Sequence, residues 1–134
     1  MNIDITLSYS IILTTFMLIL AFRIIDLRGS PVTKFLHSED RVVDEDTLYR
    51  AVRGHGNLIE YAPLFLILML ISELNGLASA YLHSSGIIFT IGRLMHGIAF
   101  SFMKKNGFLR IGGMSLTFVG FLGLIVPALG IIFF

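Results

Sequence analysis

The sequence predicts an all-α protein made of four helices that cross a lipid bilayer, and three observations lead to this fold class. Apolar residues make up 55% of the chain and charged residues only 14%, whereas a typical soluble domain has about 25% charged residues. Long runs without a charged side chain recur along the chain. The basic residues gather in two of the three connections between these runs. We therefore expect one transmembrane domain over residues 1–134.

The expected helices cover about residues 5–25, 47–75, 77–103 and 111–133. Three uncharged runs approach or exceed the roughly 20 residues that a helix needs to span a bilayer, namely Ile5–Phe22, Leu74–Gly92 and Ile111–Phe134. The run Tyr61–Ser72 is shorter. The second helix therefore spans the bilayer only if its polar N-terminal half faces protein.

Local signals mark where the helices begin and end. Asp46 or Thr47 is expected as the N-cap of the second helix. Asn75–Gly76 and Asn106–Gly107 are expected as the turns that follow the second and third helices. Small residues let membrane helices approach closely, and the fourth helix carries five glycines, Gly112, Gly113, Gly120, Gly123 and Gly130.

The distribution of basic residues predicts the orientation in the membrane. The connection between the first two helices holds Arg23, Arg28, Lys34, Arg41 and Arg50, and that between the last two holds Lys104, Lys105 and Arg110. The turn between the second and third helices has no Lys or Arg. Because basic loops stay in the cytoplasm, we expect both termini outside it.

The composition also excludes several classes of function. The chain has no cysteine, which removes disulfides, a thiolate nucleophile of its own and cysteine-based metal sites. No basic patch with interleaved aromatic residues indicates nucleic-acid binding. His37 and His83 fall in a loop and at a helix start, and His55 and His96 alone are too few for a metal site. We therefore expect no metal and no nucleic-acid partner.

Three charged residues, Arg53, Glu60 and Arg93, fall inside predicted membrane helices. A charge near the centre of a membrane helix costs roughly 2.5–3.5 kcal/mol, so these side chains are expected to face protein and to find partners. From their estimated depths, Glu60 is expected to pair with Arg93 or His96. One interpretation is a structural network that fixes helix register. The surplus of positive charge favours a second, a polar site for an anionic ligand.

The second helix shows polar groups on two sides. Arg53, Asn57 and Glu60 are spaced i, i+4, i+7 and share one face, while His55 lies on roughly the opposite side. On the third helix, Arg93 and His96 are adjacent on one face. This pattern suits a site shared between two helix bundles or two subunits.

The segment Arg50–Phe65, which reads RAVRGHGNLIEYAPLF, resembles the signature of the MAPEG family, the membrane-associated proteins of eicosanoid and glutathione metabolism. The family pattern on this helix is Arg, then Asn, Glu, Pro and Phe at set spacings. Gly92-Arg93-Leu94-Met95-His96 resembles the family element on the third helix. The two segments together are most similar to the small bacterial inner-membrane branch of the family.

The resemblance implies a left-handed bundle of four transmembrane helices, a homotrimer, and glutathione bound as co-substrate between protomers near the cytoplasmic face. It implies a glutathione transferase or peroxidase acting on hydrophobic electrophiles or lipid hydroperoxides. Arg110 is the nearest match to the arginine that holds the thiolate. The residues implied to bind glutathione are Arg53, His55, Asn57, Glu60, Tyr61, Arg93 and His96.

Two alternatives stay open. His96 and Phe100 stand where many family members have tyrosines, which leaves room for a non-catalytic binding or scaffold protein with the same fold. A transporter or channel built on the intramembrane charges is disfavoured, because the chain is short and shows no broken helices in paired halves.

Overall fold

The computed structural model describes residues 3–36, 42–104 and 106–133. Over these residues the chain is all-α and contains no strand. Four helices follow one another, α1 (Asp4–Leu27), α2 (Glu45–Leu74), α3 (Ser79–Ser101) and α4 (Gly107–Phe133), with a short 3₁₀ helix (Pro31–Leu36) after α1. His37, Arg41 and Lys105, which entered the sequence-based predictions, lie outside the described residues.

Contacts at the two ends of the bundle show that successive helices run antiparallel. At one end, the amides of Ile5 and Thr6 donate to the Glu73 carboxylate at 3.0 and 2.8 Å. This joins the start of α1 to the end of α2. At the other end, Arg50 at the start of α2 donates to the carbonyl of Ala99 near the end of α3, at 2.9 Å. We call this second end, which carries Arg23, Arg50, Lys104 and Arg110, the basic end.

Helix α3 is the central element of the bundle. It packs against the other three helices, whereas within the described residues α1 and α4 do not pack against each other. Nearly half of α3 is buried, including Ser85, Thr90, Arg93 and His96. A helix that is covered by its neighbours can carry polar side chains that a lipid-facing helix cannot.

Three helices are long and apolar enough to cross a membrane, and they are α1, α2 and α4. The prediction that the run Leu74–Gly92 qualifies by itself is wrong. The turn at Asn75–Gly76, where Gly76 takes a φ of 80°, divides that run between the end of α2 and the first half of α3. Protein contacts around α3 compensate for its lower hydropathy.

The helix ends also differ from the sequence-based predictions. Asp44, not Asp46 or Thr47, is the N-cap of α2, because its extended backbone lets the carboxylate accept the Thr47 amide at 2.6 Å. Asn106 does not end the third helix but begins the fourth, since its side-chain oxygen accepts the Leu109 amide at 3.0 Å. The two caps fix where the first turns of α2 and α4 meet at the basic end.

Two glycines let α3 and α4 pack backbone to backbone. A Cβ atom on Gly92 would lie 2.7 Å from the carbonyl oxygen of Gly113, and one on Gly113 would lie 2.7 Å from that of Gly92. The Gly113 position also lies against the backbone of His96, with 2.8 Å from a Cβ to the amide nitrogen. This close crossing brings the C-terminal half of α3 against the first turns of α4.

Candidate functional site

A cleft opens between α2, α3 and α4 on the side of the basic end, and we call it the inner cleft. Its volume is about 370 Å³. It is lined by Asn57, His96, Phe100, Arg110, Ile111, Met114, Ser115 and Phe118. The structure therefore brings three of the predicted site residues, one from each of these helices, into a single cavity.

A second cleft of about 450 Å³, the end cleft, lies beside it at the basic end. Phe100 and Arg110 line both clefts, so the two cavities share a wall. Tyr49, Arg50 and Lys104 complete much of the end cleft. The inner cleft is thus the apolar cavity with few polar groups, and the end cleft is its charged neighbour.

The side chain of His96 is oriented by the first turn of α4. His96 is only 5% exposed, and its Nδ1 lies 3.1 Å from the backbone carbonyl oxygen of Arg110. A carbonyl oxygen only accepts hydrogen bonds, so Nδ1 carries the hydrogen and donates it. In the neutral ring, Nε2 is then the unprotonated nitrogen. The ring also packs against Phe100, with 4.9 Å between centroids.

Arg93 is the most deeply buried charged residue among those described, at 1% exposure. Its Nε donates to the Thr117 hydroxyl at 2.8 Å, and its two terminal nitrogens donate to the Asn57 carbonyl oxygen at 3.4 Å and to the Met114 sulfur at 3.5 Å. The guanidinium lies 5.0 Å from the centroid of the Tyr61 ring. All of these partners are neutral, so they leave the positive charge of Arg93 uncompensated.

The prediction that Glu60 pairs with Arg93 or His96 is wrong within the single chain. Among the described residues, no ion pair joins Glu60 to Arg93 or to His96. Glu60 is exposed on the face of α2 opposite its buried residues. The sequence spacing gave the angle between Glu60 and its helical neighbours, but not the face that turns towards the core.

Arg53, His55 and Glu60 lie outside the inner cleft. Arg53 is exposed on the same face of α2 as Glu60. His55 is half-buried, and because two residues turn a helix by about 200°, it lies on the side of α2 away from Asn57. Of the predicted residues, Asn57, His96 and Arg110 line the cleft, and Arg93 and Tyr61 lie behind it.

Two residues that line the inner cleft each bury an acceptor atom without a hydrogen-bond partner among the described residues. These atoms are Oδ1 of Asn57 and Nε2 of His96. An unsatisfied buried polar group costs about 1–3 kcal/mol. The wall of the cleft therefore holds two unused acceptors, and the Arg93 cation contacts the backbone of Asn57 in the same wall.

Sequence reasoning missed the partners of Arg93 on α4. Thr117 accepts a hydrogen bond from Arg93 and donates its own to the Gly113 carbonyl at 2.8 Å. The sequence did single out Thr117, because Ser115 and Thr117 are the two hydroxyl side chains in the otherwise apolar run Ile111–Phe134. Met114 gave no such signal.

The cations of the basic end divide into two groups. Arg50 donates to the carbonyls of Ala99 and Met103, and Arg23 donates to that of Ser101 at 3.5 Å. These two arginines satisfy carbonyl groups at the end of α3, where positive charge is favourable. The guanidinium of Arg110 has no hydrogen-bond partner within the described ranges, so it is available to a ligand.

In residues 3–36, 42–104 and 106–133 no group of three or more His, Cys, Asp or Glu side chains could hold a metal ion. The polar groups of the inner cleft are instead amide, imidazole and guanidinium groups. They suit an organic ligand with carboxylate and amide groups.

Comparison with known proteins places this geometry in a family. Two proteins named inner membrane protein YecN, both from Escherichia coli strains, are 38% identical to the chain over 82 residues. Each match covers 61% of this chain and 61% of the relative, so the chain spans less than two thirds of the length of the curated relatives it matches. No solved structure matches. The MAPEG family matches over residues 6–130, which cover all of α2 and α3 and nearly all of α1 and α4, and the chain therefore belongs to the MAPEG family of membrane proteins.

Proposed function

We propose that the protein is a membrane-embedded glutathione transferase or peroxidase that acts on hydrophobic electrophiles or lipid hydroperoxides. The observation that carries this proposal is the inner cleft, whose lining residues Asn57 and His96 bury unpartnered acceptors and contact or adjoin a buried arginine without a carboxylate. The names of the two relatives support a place in the bacterial inner membrane. Membership of the family supports glutathione as the co-substrate.

The charges of glutathione fit the residues of the cleft. Glutathione carries two carboxylates, one ammonium group, two amides and a thiol. Arginine side chains bind carboxylates through paired hydrogen bonds, and Arg53 on the exposed face of α2 is proposed for this contact. Oδ1 of Asn57 can accept from an amide or from the ammonium group. Arg110 is then left for the sulfur.

Arg110 has the position required to activate the sulfur. The thiolate, and not the thiol, is the nucleophile, and a cation beside it favours the charged form. Arg110 lines the inner cleft from the first helical turn of α4. The other wall is formed by apolar side chains of α4, which suit a hydrophobic electrophile entering from the lipid.

A homotrimer would complete the site. In the single chain, Arg53 and Glu60 are exposed on one face of a helix that crosses the membrane, and such charges are costly when they face lipid. A neighbouring protomer packed on this face would supply partners for both. We therefore propose that Arg53, His55 and Glu60 contribute to a glutathione site shared between protomers. Native mass spectrometry from a mild detergent is expected to show trimers, and a monomer alone would contradict this.

The experiment that tests the function combines binding and turnover. Calorimetric titration with glutathione is expected to show binding, and a hydrophobic electrophile is expected to be conjugated. Arg110→Ala should lower turnover more than binding. Lys104→Ala is the matched control, because Lys104 lines the end cleft but not the inner cleft. Equal losses in the two variants would contradict the role of Arg110.

A non-catalytic binding protein is the second candidate. Phe100 lines both clefts and has no hydroxyl group with which to contact a substrate. Glutathione binding without turnover on any electrophile or hydroperoxide would favour this candidate over the enzyme.

A further inference from the structure

His96 lines the inner cleft, and its Nε2 atom is buried without a partner among the described residues. The hydrogen bond from Nδ1 to the Arg110 carbonyl, at 3.1 Å, leaves Nε2 as a basic lone pair in the neutral ring. His96 is 5% exposed, and Nε2 has no partner among the described residues. The same residue therefore lines the inner cleft and carries its one basic nitrogen.

Arg110 contacts His96 through its backbone and lines the proposed sulfur site with its side chain. The backbone carbonyl of Arg110 holds the imidazole, while the side chain of Arg110 lines the same cleft. Because both residues line the inner cleft, a sulfur bound there by the Arg110 guanidinium lies in the same cavity as His96. Arginine cannot accept the thiol proton, because it is always protonated. The proton that leaves the sulfur needs another acceptor.

Resting on the proposed function, we propose that His96 is the general base that takes the thiol proton of glutathione at Nε2. The S–H bond breaks, an N–H bond forms on Nε2, and the electron pair stays on sulfur as the thiolate. After the thiolate attacks the electrophile, the imidazolium returns the proton to the leaving group. Glutathione and the electrophile thus give the thioether and the protonated leaving group, and His96 is regenerated.

The charges around the His96 ring couple proton transfer to thiolate formation. The charged groups that act on His96 are Arg93 on its own helix and Arg110 on α4, and Asn57, which faces the cleft from α2, is neutral. Both of these neighbours are cations, so an imidazolium at His96 needs a negative charge beside it. The thiolate formed in the same step supplies that charge. Proton transfer and thiolate formation therefore occur together.

Two substitutions separate this role from a structural one. In His96→Asn, the side-chain amide can replace Nδ1 as the donor to the Arg110 carbonyl, but no basic nitrogen remains. In His96→Gln, the amide oxygen can replace Nε2 as an acceptor without being basic. A base is lost in both variants, whereas the contact between α3 and α4 is kept only in the first.

The measurement counts protons. Ultraviolet absorbance of the thiolate gives the amount formed on binding, and calorimetry in two buffers of different ionisation enthalpy gives the protons released. In the wild-type protein we expect thiolate formation without proton release, because His96 keeps the proton. In His96→Asn we expect either no thiolate or one proton released per thiolate. Turnover should fall by about 10²–10⁴-fold, the usual contribution of a general base, with little change in KM.

Three results would overturn the proposal: a wild-type protein that releases one proton per thiolate, a His96→Asn variant that matches the wild type in thiolate and proton count, or a His96→Gln variant that does so. S-Methylglutathione, which has no thiol, separates these results from a failure of the proposed function. If it and glutathione both bind, only the role of His96 is in question. If neither binds, the glutathione site itself is wrong, and the role of His96 falls with it.

Discussion

At the scale of single residues, the buried guanidinium of Arg93 places an uncompensated positive charge next to the inner cleft. Its hydrogen bonds go to a hydroxyl, a backbone carbonyl and a thioether. These neutral groups accept from each of its three nitrogens but leave its charge in place. Thr117 is the closest of the three partners, and it also links Arg93 to the backbone of α4.

Replacing Thr117 by Val should therefore destabilise the protein. Valine keeps the shape of the side chain but removes the acceptor for Arg93, and a buried donor without a partner costs about 1–3 kcal/mol. Ser115→Ala is the control, because Ser115 is the other hydroxyl residue of α4 and has no hydrogen bond to Arg93. Unfolding in mixed detergent micelles gives the two free-energy differences. A Ser115→Ala variant as unstable as Thr117→Val would contradict the role of the Arg93 contact.

Asp44 predicts an acid-sensitive start to α2. Hydrogen bonds from Thr47 hold the pKa of Asp44 below its ordinary value, with help from the positive charges of Lys104 and Arg50. Because the folded pKa is the lower one, the ionised cap stabilises the protein above the unfolded pKa. That stability is lost as the pH falls through the folded pKa, below about pH 4.

The test compares the wild-type protein with Asp44→Asn, whose neutral amide can still cap the helix. Thermal midpoints in a non-ionic detergent should differ most near neutral pH and converge in acid. A difference that stays constant across this range would show that the charge of Asp44 does not contribute.

At the scale of elements, the crossing of α3 and α4 is the contact on which the site depends. Gly92 and Gly113 touch through their backbones, and this contact sets the register that joins His96 to Arg110. The fourth helix also approaches α3 at Gly120, where a Cβ would lie 2.8 Å from that of Phe89. At Gly130, by contrast, nothing lies within 4 Å.

Gly113→Ala should therefore weaken both the fold and the site, while its neighbour Gly112→Ala should not. A methyl group at Gly113 meets backbone atoms that cannot yield, and such overpacking costs typically 1–3 kcal/mol. At Gly112 the nearest atom is the flexible end of Met95 at 3.3 Å. Thermal unfolding and glutathione binding of the two variants check this. Equal behaviour would mean that α4 shifts freely along α3.

At the scale of the whole molecule, the charges predict how the bundle sits in the membrane. The basic end holds the connection after α1 and the connection between α3 and α4, while the opposite end holds the N-terminal turn of α1 and the turn between α2 and α3. Arg23, Arg50, Lys104 and Arg110 all gather at the first of these ends. Basic loops remain in the cytoplasm, so the inner cleft is expected to open towards it.

Single cysteines test this orientation without background, because the chain has none. Ser79→Cys at the start of α3 should react with a membrane-impermeant thiol reagent in intact spheroplasts. Val42→Cys, which is 93% exposed near the start of α2, should react only after lysis. The reverse pattern would show that the protein has the opposite orientation in the membrane.

The sequence predicted the helices and part of the site. The rest of the site could not be predicted, for physical reasons. Spacing along α2 placed Asn57 and His55 on opposite sides, because the helical period is fixed. It could not place Glu60, since that requires knowing which face meets α3. The contacts of Arg93 with Thr117 and Met114 depend on the register between two helices, and close glycine packing sets that register only in three dimensions.

The contact between the Glu73 carboxylate and the start of α1 affects the order in which the first two helices assemble during synthesis. The carboxylate accepts hydrogen bonds from the amides of Ile5 and Thr6, and Thr6 and Glu73 are 67 residues apart in sequence. The first amides of any helix have no partner within it, and Glu73 is the partner of two of these amides in α1. During synthesis, α1 therefore stays without this cap until the ribosome has released the end of α2. The first two helices are expected to settle into the bilayer as a hairpin, with Glu73 as the residue that closes it.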